Sequence, residues 1–472
     1  ALFNKYLSER YASNTELSRT WSSGGKCGLS ASENILNKNV TLLPATDLMR
    51  CNDGRIRDTV KFLAWVDTSF SESIKAVLRT AGYKGLFTFT NDWNGYGALY
   101  TNHKTGDYID MHGYFDHPKQ TDGKAPLESI TQRSLFQLFE DLDKKFPRDY
   151  YTALRSIFVS LLDDRPMILS EWNHVAWSKY SYEGPLLLQA YAAFQGIPVV
   201  DGHTYFTHPD PAPKMEYVGN SFAIGANPLW MALYPSLSLA YVKGYIQEPE
   251  QALCWSEASS EDEYWLKTAA VGLDKINLNS MVPVTAGFRY KLRKQMYGSS
   301  SCKPGDLKPD NMTRRNSTQT GEIGWQTLKG KGVAFTVNTN KYQAVAGTMK
   351  GESIQLKDLS VTVGDHGAVT AVALDDLALQ SSRRILITSV SEFDNTGSRR
   401  TSQDGRDIIN VAGHGPTRLR SVQGSVTLRT RNSGRPFVYA VWPGSKFESV
   451  AEVQVKRVGD YTEVTFPLDI RK

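Results

Sequence analysis

A parallel α/β region followed by an antiparallel β-sandwich is the fold class this sequence predicts. Up to about residue 245, short apolar runs alternate with stretches of helical periodicity, which is the grammar of a parallel sheet with covering helices. From about residue 320, Val/Thr/Ile-rich runs recur between turns containing Gly, Asn and Asp, which is the grammar of a sandwich. Each apolar run in the first region also ends in a cluster of polar and aromatic residues, and a (β/α)8 barrel keeps its chemistry at that end of its strands. A complete barrel takes about 250 residues, yet the first 245 residues contain only four convincing strands. The expectation is therefore the last four β/α units of a (TIM) barrel over 1–245, a junction over 246–319 and a β-sandwich over 320–472.

The elements follow in order. Leu2, Phe3, Tyr6, Leu7 and Tyr11 recur at helical spacing, with no capping residue before them. Ser13-Asn14-Thr15-Glu16 reads as a capping box for a second short helix carrying Leu17 and Trp21. After a Gly/Ser/Asn-rich loop, an amphipathic helix runs through Ile56, Val60, Leu63, Val66, Phe70, Ile74, Val77 and Leu78 and stops at Gly82. Strands are expected at 85–90, 108–111, 167–169 and 197–200, with helices through Leu186–Phe194 and over roughly 229–245. The stretch from Lys119 to Arg148 reads as an insertion. In the last region, Gly332–Val337, Arg384–Thr388 and Thr462–Phe466 are strands of the sandwich.

Composition bounds the function. No apolar run is long enough to span a bilayer. The balance of 54 Lys+Arg against 49 Asp+Glu leaves +5, with the basic residues scattered and no nucleic-acid-binding motif beside them. Neither nucleic acid nor a membrane span is expected as a partner. The four cysteines form two sequence-local pairs, Cys27 with Cys51 and Cys254 with Cys302, in polar loops and without CxxC spacing. Two disulfides formed in an oxidising compartment are expected, free buried thiols being the alternative. A secreted, cell-surface or periplasmic location follows from them. Asn39-Val40-Thr41, Asn311-Met312-Thr313 and Asn316-Ser317-Thr318 are acceptor triplets for glycosylation in a eukaryotic source.

The most informative segment is Pro166-Met-Ile-Leu-Ser170-Glu171-Trp172-Asn173-His174, a buried strand that ends abruptly in a carboxylate. A carboxylate so placed among aromatics is what sugar hydrolysis requires of its nucleophile. The same segment reads equally as a strand on which Glu171 is only a hydrogen-bonding terminator. His112 and Tyr114, two residues apart, share one strand face. Tyr114 could donate to Glu171 and keep it ionised, while His112 is either a hydrogen-bonding partner or a structural histidine. Asn91, Trp93, Asp116, His117, Trp172, Asn173, His174, Trp177, His203 and Tyr205 follow strand ends and are the candidate substrate-binding residues, with loop anchoring the competing role for each aromatic. A metal site drawn from Asp110, His112, Asp116, His117, His174, Asp201, His203 and His208 is a rival, but no compact ligand spacing such as HExxH is present. P-loop, GxGxxG and GxSxG motifs are absent as well. No metal or organic cofactor is expected.

Asp110-x-His112-x-Tyr114 on one strand, Ser170-Glu171-Trp172-Asn173 on the next and an aromatic-rich final strand together resemble the clan of retaining (β/α)8-barrel glycoside hydrolases that includes cellulases, mannanases, β-galactosidases and agarases. Ser382–Thr388 and Asn395-Thr396-Gly397 resemble the β-sandwich such enzymes carry. The resemblance implies that Glu171 is the nucleophile of a double displacement, that Tyr114 contacts it, and that His112 and Tyr114 are the His-x-Tyr of the preceding strand. It also implies a glutamate after an asparagine as acid/base on an earlier strand. The one early pairing is Glu33-Asn34, in reverse order and with no strand before it. A companion N-terminal polypeptide completing the barrel is therefore expected to supply the acid, in keeping with the uncapped helix at Ala1. The alternatives are a non-catalytic glycan-binding or structural protein on the same scaffold and a metal-dependent hydrolase.

Overall fold

The computed structural model describes residues 1–21, 27–44, 47, 54–91, 96–115, 117–120, 128–131, 133–141, 152–205, 217–256, 258–265, 284–297, 316–403, 406–441, 448–450 and 453–469. The chain is a mixed α/β protein with a β-rich C-terminal region.

Strands β1 (Ile109–Phe115), β2 (Lys119–Gln120), β3 (Glu128–Thr131), β4 (Met167–His174) and β5 (Val199–Gly202) belong to the first region. β1, β4 and β5 form a parallel sheet in chain order, and Asn91 extends it by a parallel bridge to Asp110. The strand expected at 85–90 is thus reduced to a single bridge. Its backbone is held instead by side chains: Asn102 Oδ1 accepts from Phe89 N at 3.2 Å and Thr90 N at 3.3 Å, and Asp107 Oδ2 accepts from Phe87 N at 2.8 Å.

Helices connect and cover these strands. Ser13 caps the Asn14–Thr20 helix by accepting from Glu16 N, while Glu16 reaches back to Ala12 N, one residue before the position a capping box would use. The Gly54–Thr80 helix ends at Gly82, which takes the left-handed φ of +88° that glycine adopts without penalty. Glu183–Gln195 is buried on every side between β4 and the rest of the core and stops at Gly196 in the same conformation. Asn227 caps Pro228–Val242, with proline in the first turn where no N–H is needed.

The C-terminal region contains two five-stranded antiparallel sheets. One runs Ile385–Val390, His366–Ala373, Tyr342–Thr348, Gly332–Asn338, Ile323–Leu328; the other runs Ser353–Gln355, Leu359–Val363, Gly424–Thr430, Tyr461–Pro467, Gln454–Val458. Val345, Val369 and Ala371 of the first share one core with Val361, Val426, Val464 and Phe466 of the second. The opposite face of the first sheet packs on the α/β region, where Phe335 stacks on Phe136 at 4.9 Å and Trp325 stacks on Phe139 at 4.5 Å.

Both aromatics on the α/β side come from the 119–148 insertion, which is therefore part of the packing between the two regions. Its strand β3 also pairs with Arg406–Val411 in a four-stranded sheet. The junction carries a parallel pair of its own, Leu253–Ser256 beside Leu292–Gln295. Neither Cys27 nor Cys254 is a free cysteine; Cys51 and Cys302, their expected partners, lie outside the described residues. Among the described residues no helix is long and apolar enough to cross a membrane.

One buried ion pair anchors the N-terminal helices. Arg55 donates to Glu33 through Nη1 at 3.0 Å and Nη2 at 2.6 Å, with both side chains nearly closed to solvent. Burial alone would raise the Glu33 carboxyl, but the hydrogen bonds from Arg55, Ser30 and Thr41 and the guanidinium charge outweigh it and bring it down to about 2. A depressed carboxyl contributes stability above its unfolded value and loses it as pH falls towards 2. Urea denaturation at pH 7 is expected to show Arg55→Met destabilised by about 3 kcal/mol, with the difference from wild type narrowing as pH falls towards 2.

Candidate active site

β1 alternates between buried and half-buried residues, and Asp110, His112 and Tyr114 all lie on its half-buried face. β4 departs from even alternation. Met111 pairs with Leu169 but His112 pairs with Glu171, so Ser170 is an extra residue, and β4 is out of step with β5 at the same place. In a regular strand Ser170 and Glu171 would point to opposite faces. The bulge turns both side chains towards β1, as bulges beside functional sites do.

The contacts then form a chain. Tyr114 donates its hydroxyl to Glu171 Oε2 at 2.5 Å. His112 Nδ1 lies 3.4 Å from the same oxygen, and its Nε2 is 3.0 Å from Ser170 Oγ. Ser170 donates Oγ–H to Asp110 Oδ2 at 2.9 Å and its backbone N–H to Asp110 Oδ1 at 3.3 Å. His203 Nδ1 stands 4.0 Å from Glu171 Oε1. Burial first, and the Glu171 bond second, push the Tyr114 hydroxyl far above its ordinary range, so Tyr114 remains a donor. Burial likewise raises the Asp110 carboxyl, opposed by the hydrogen bonds from Ser170 and the nearby His112.

The Glu171 side chain keeps 35% of its surface open, beneath an aromatic collar. Phe222 is 5.4 Å from Tyr114, 5.5 Å from His117 and 6.1 Å from His203. Its loop is clamped by Asn395, which is buried and both donates to Val218 O at 2.8 Å and accepts from Val218 N at 3.3 Å. Arg400, from the same C-terminal region, donates to Trp177 O at 2.9 Å.

The expected site residues thus divide. Glu171, Tyr114, His112, His203 and His117 are brought together, Asn91 ends the neighbouring segment beside Asp110, and Tyr205 is exposed just beyond β5. Trp172, Asn173, His174 and Trp177 are placed differently: all four are buried and turned into the protein. Trp172 stacks on Trp230 at 4.6 Å, Asn173 donates to the carbonyls of His203 and Phe222, and Trp177 packs on Phe393. His174 Nδ1 accepts from Gly184 N at 3.1 Å, an approach so close that a Cβ on residue 184 would lie 2.4 Å from His174 Cβ. Trp93, Asp116 and His208 lie outside the described residues. Among those described, no group of three or more His, Cys, Asp or Glu is arranged to hold a metal ion. Glu33, ion-paired with Arg55 and held well below the carboxylate range, is the opposite of a proton donor.

Sequence reading missed Phe222; it quoted Asp110 and Ser170 within the strand motifs and Asn395 within the sandwich, but gave Ser170 and Asn395 no role at the site and Asp110 none beyond that of a rival metal ligand. The period-two pattern that links His112 to Tyr114 reaches Asp110 as well. A bulge and a loop contact across the fold leave no periodic signal.

Two outcomes are expected. Burial holds the His174 imidazole down at about 3, whereas an unfolded histidine titrates near 6.5. Its contribution is fully present above 6.5 and is lost as pH falls from there towards 3. His174→Gln should flatten wild-type stability over that interval in urea titrations. Asn395→Ala leaves the buried N–H and C=O of Val218 unpaired and should cost about 2 kcal/mol, read as a lower denaturation midpoint.

No protein family model matches the chain, and neither the curated proteins nor the solved structures contain a match to it.

Proposed function

We propose that the protein is a glycoside hydrolase acting on a polysaccharide or oligosaccharide by a retaining double displacement, with Glu171 as nucleophile. The observation that carries this reading is the Glu171 carboxylate itself, half-open at the bulge in the middle of β4, oriented by Tyr114 from the neighbouring parallel strand and rimmed by Phe222, His117 and His203. Phe222 offers a face for the C–H side of a sugar ring, and His203 and His117 offer ring nitrogens to its hydroxyls. Glu171 attacks the anomeric carbon as the glycosidic bond breaks, and water later releases the sugar from the resulting ester. Tyr114 donates to Oε2 throughout and keeps the carboxylate ionised and aimed.

In this reading the parallel strands are part of a (β/α)8 barrel, and further β/α units supply the acid/base carboxylate. Support comes from the two ends of the sheet. On the Asn91 side Leu86 is 67% exposed, and the Gly54–Thr80 helix that precedes it leaves Phe70, Ile74 and Val77 open. At the other end, β5 is the last strand of the sheet among the described residues, and its Val199 is 46% exposed. Apolar side chains at both ends of a parallel sheet suit continuation of the sheet on both sides. The two antiparallel sheets of the C-terminal region are the accessory sandwich.

Glu171→Gln tests the reading on a panel of reduced-end-labelled polysaccharides and dinitrophenyl glycosides. The variant should lose at least about 1000-fold in turnover while its denaturation midpoint stays within about 0.5 kcal/mol of wild type. Undiminished hydrolysis removes Glu171 from the nucleophile's role. Native mass spectrometry is expected to show a second polypeptide bound to this one in material that cleaves unactivated glycosides.

A further inference from the structure

We propose that Asp110 and Ser170 are positioning residues that set the hydrogen-bond direction of the His112 ring and so leave Oε1 of Glu171 as the attacking oxygen. The inference rests on the nucleophile reading above and deepens it.

The available protons fix the direction of each bond. The Asp110 carboxylate only accepts. Its Oδ1 takes the backbone N–H of Ser170 at 3.3 Å and its Oδ2 takes the Ser170 hydroxyl at 2.9 Å. That hydroxyl has one proton, now committed. Its lone pairs remain for His112 Nε2 at 3.0 Å, so Nε2 is the N–H that donates. The ring is thereby anchored at Nε2, and its other nitrogen is held 3.4 Å from Oε2. Oε2 already accepts the Tyr114 hydroxyl at 2.5 Å.

The two oxygens of Glu171 are therefore unequal. Oε2 carries the Tyr114 hydrogen bond and faces the anchored ring. Among the described residues, the ion-pairing group that faces Oε1 is His203 Nδ1 at 4.0 Å, beyond hydrogen-bond reach. In the displacement, the bond from Oε1 to the anomeric carbon forms as the bond from that carbon to the leaving oxygen breaks, while Oε2 keeps its donor. A ring free to rotate would lose this division, because Nδ1 could then leave Oε2 and approach Oε1.

The direct test uses no substrate. Long-range proton–nitrogen NMR on histidine-labelled protein, with His112 identified by its loss in His112→Gln, reads which ring nitrogen carries the proton. Nε2 should be protonated in the wild type, and that state should be lost or mixed in Ser170→Ala and Asp110→Asn and restored in Ser170→Thr, which keeps the hydroxyl. A wild-type ring protonated at Nδ1 with a bare Nε2 overturns the proposal, whether or not either variant folds. Kinetics on dinitrophenyl glycosides supply the second readout: kcat should fall about 10- to 100-fold in Ser170→Ala with little change in KM, and Ser170→Thr should recover most of it. A kcat unchanged in Ser170→Ala also overturns the proposal. Failure of the nucleophile reading itself is read separately, as turnover retained in Glu171→Gln.

Discussion

One extra residue in β4 governs the arrangement at the candidate site. Without Ser170 as a bulge, the register that pairs Met111 with Leu169 would continue unchanged, and Glu171 would face away from Tyr114 and His112. With it, Ser170 and Glu171 both face β1, and the contacts from Asp110 to Tyr114 follow. A bulge gives up ladder hydrogen bonds and so needs compensation. Here the Ser170 N–H that the ladder loses is taken up by Asp110 Oδ1. The same side chain that repairs the backbone also orders the site.

The C-terminal region contributes to the site from a distance. Phe222, which touches Tyr114, His117 and His203, sits on a loop whose backbone is held by Asn395 from beyond the two-sheet region's first sheet. The stack of Phe136 and Phe139 on Phe335 and Trp325, and the pairing of β3 with Arg406–Val411, fasten the 119–148 insertion to the same region. A single apolar core runs through the α/β region and the inner face of the first sheet. The sheets therefore hold the loops above Glu171 in place.

Much of this is legible in the sequence, and the exceptions have physical causes. Helical periodicity and caps locate the Gly54–Thr80, Glu183–Gln195 and Pro228–Val242 helices. Alternation in β1 places His112 beside Tyr114, and the abrupt end of the apolar run at Leu169 marks Glu171. The errors begin where alternation is broken. After the bulge, Trp172, Asn173 and His174 are all buried in succession, so residues that look like a polar rim are core contacts. The segment 85–90 has strand composition, yet Asn102 captures its backbone N–H groups. Phe222 and Asn395 are joined to the site through contacts made across long stretches of chain, which local pattern does not encode.

As the proposed nucleophile, Glu171 forms a covalent bond to a sugar. The most direct measurement is incubation with a panel of 2,4-dinitrophenyl 2-deoxy-2-fluoro glycosides, followed by peptide mass mapping. The dinitrophenolate leaves without protonation, so trapping depends on the nucleophile and not on the acid/base carboxylate. The account predicts one fluoroglycosyl group on the peptide containing Glu171, attached at that residue and absent in Glu171→Gln. Attachment at a different carboxylate would contradict it.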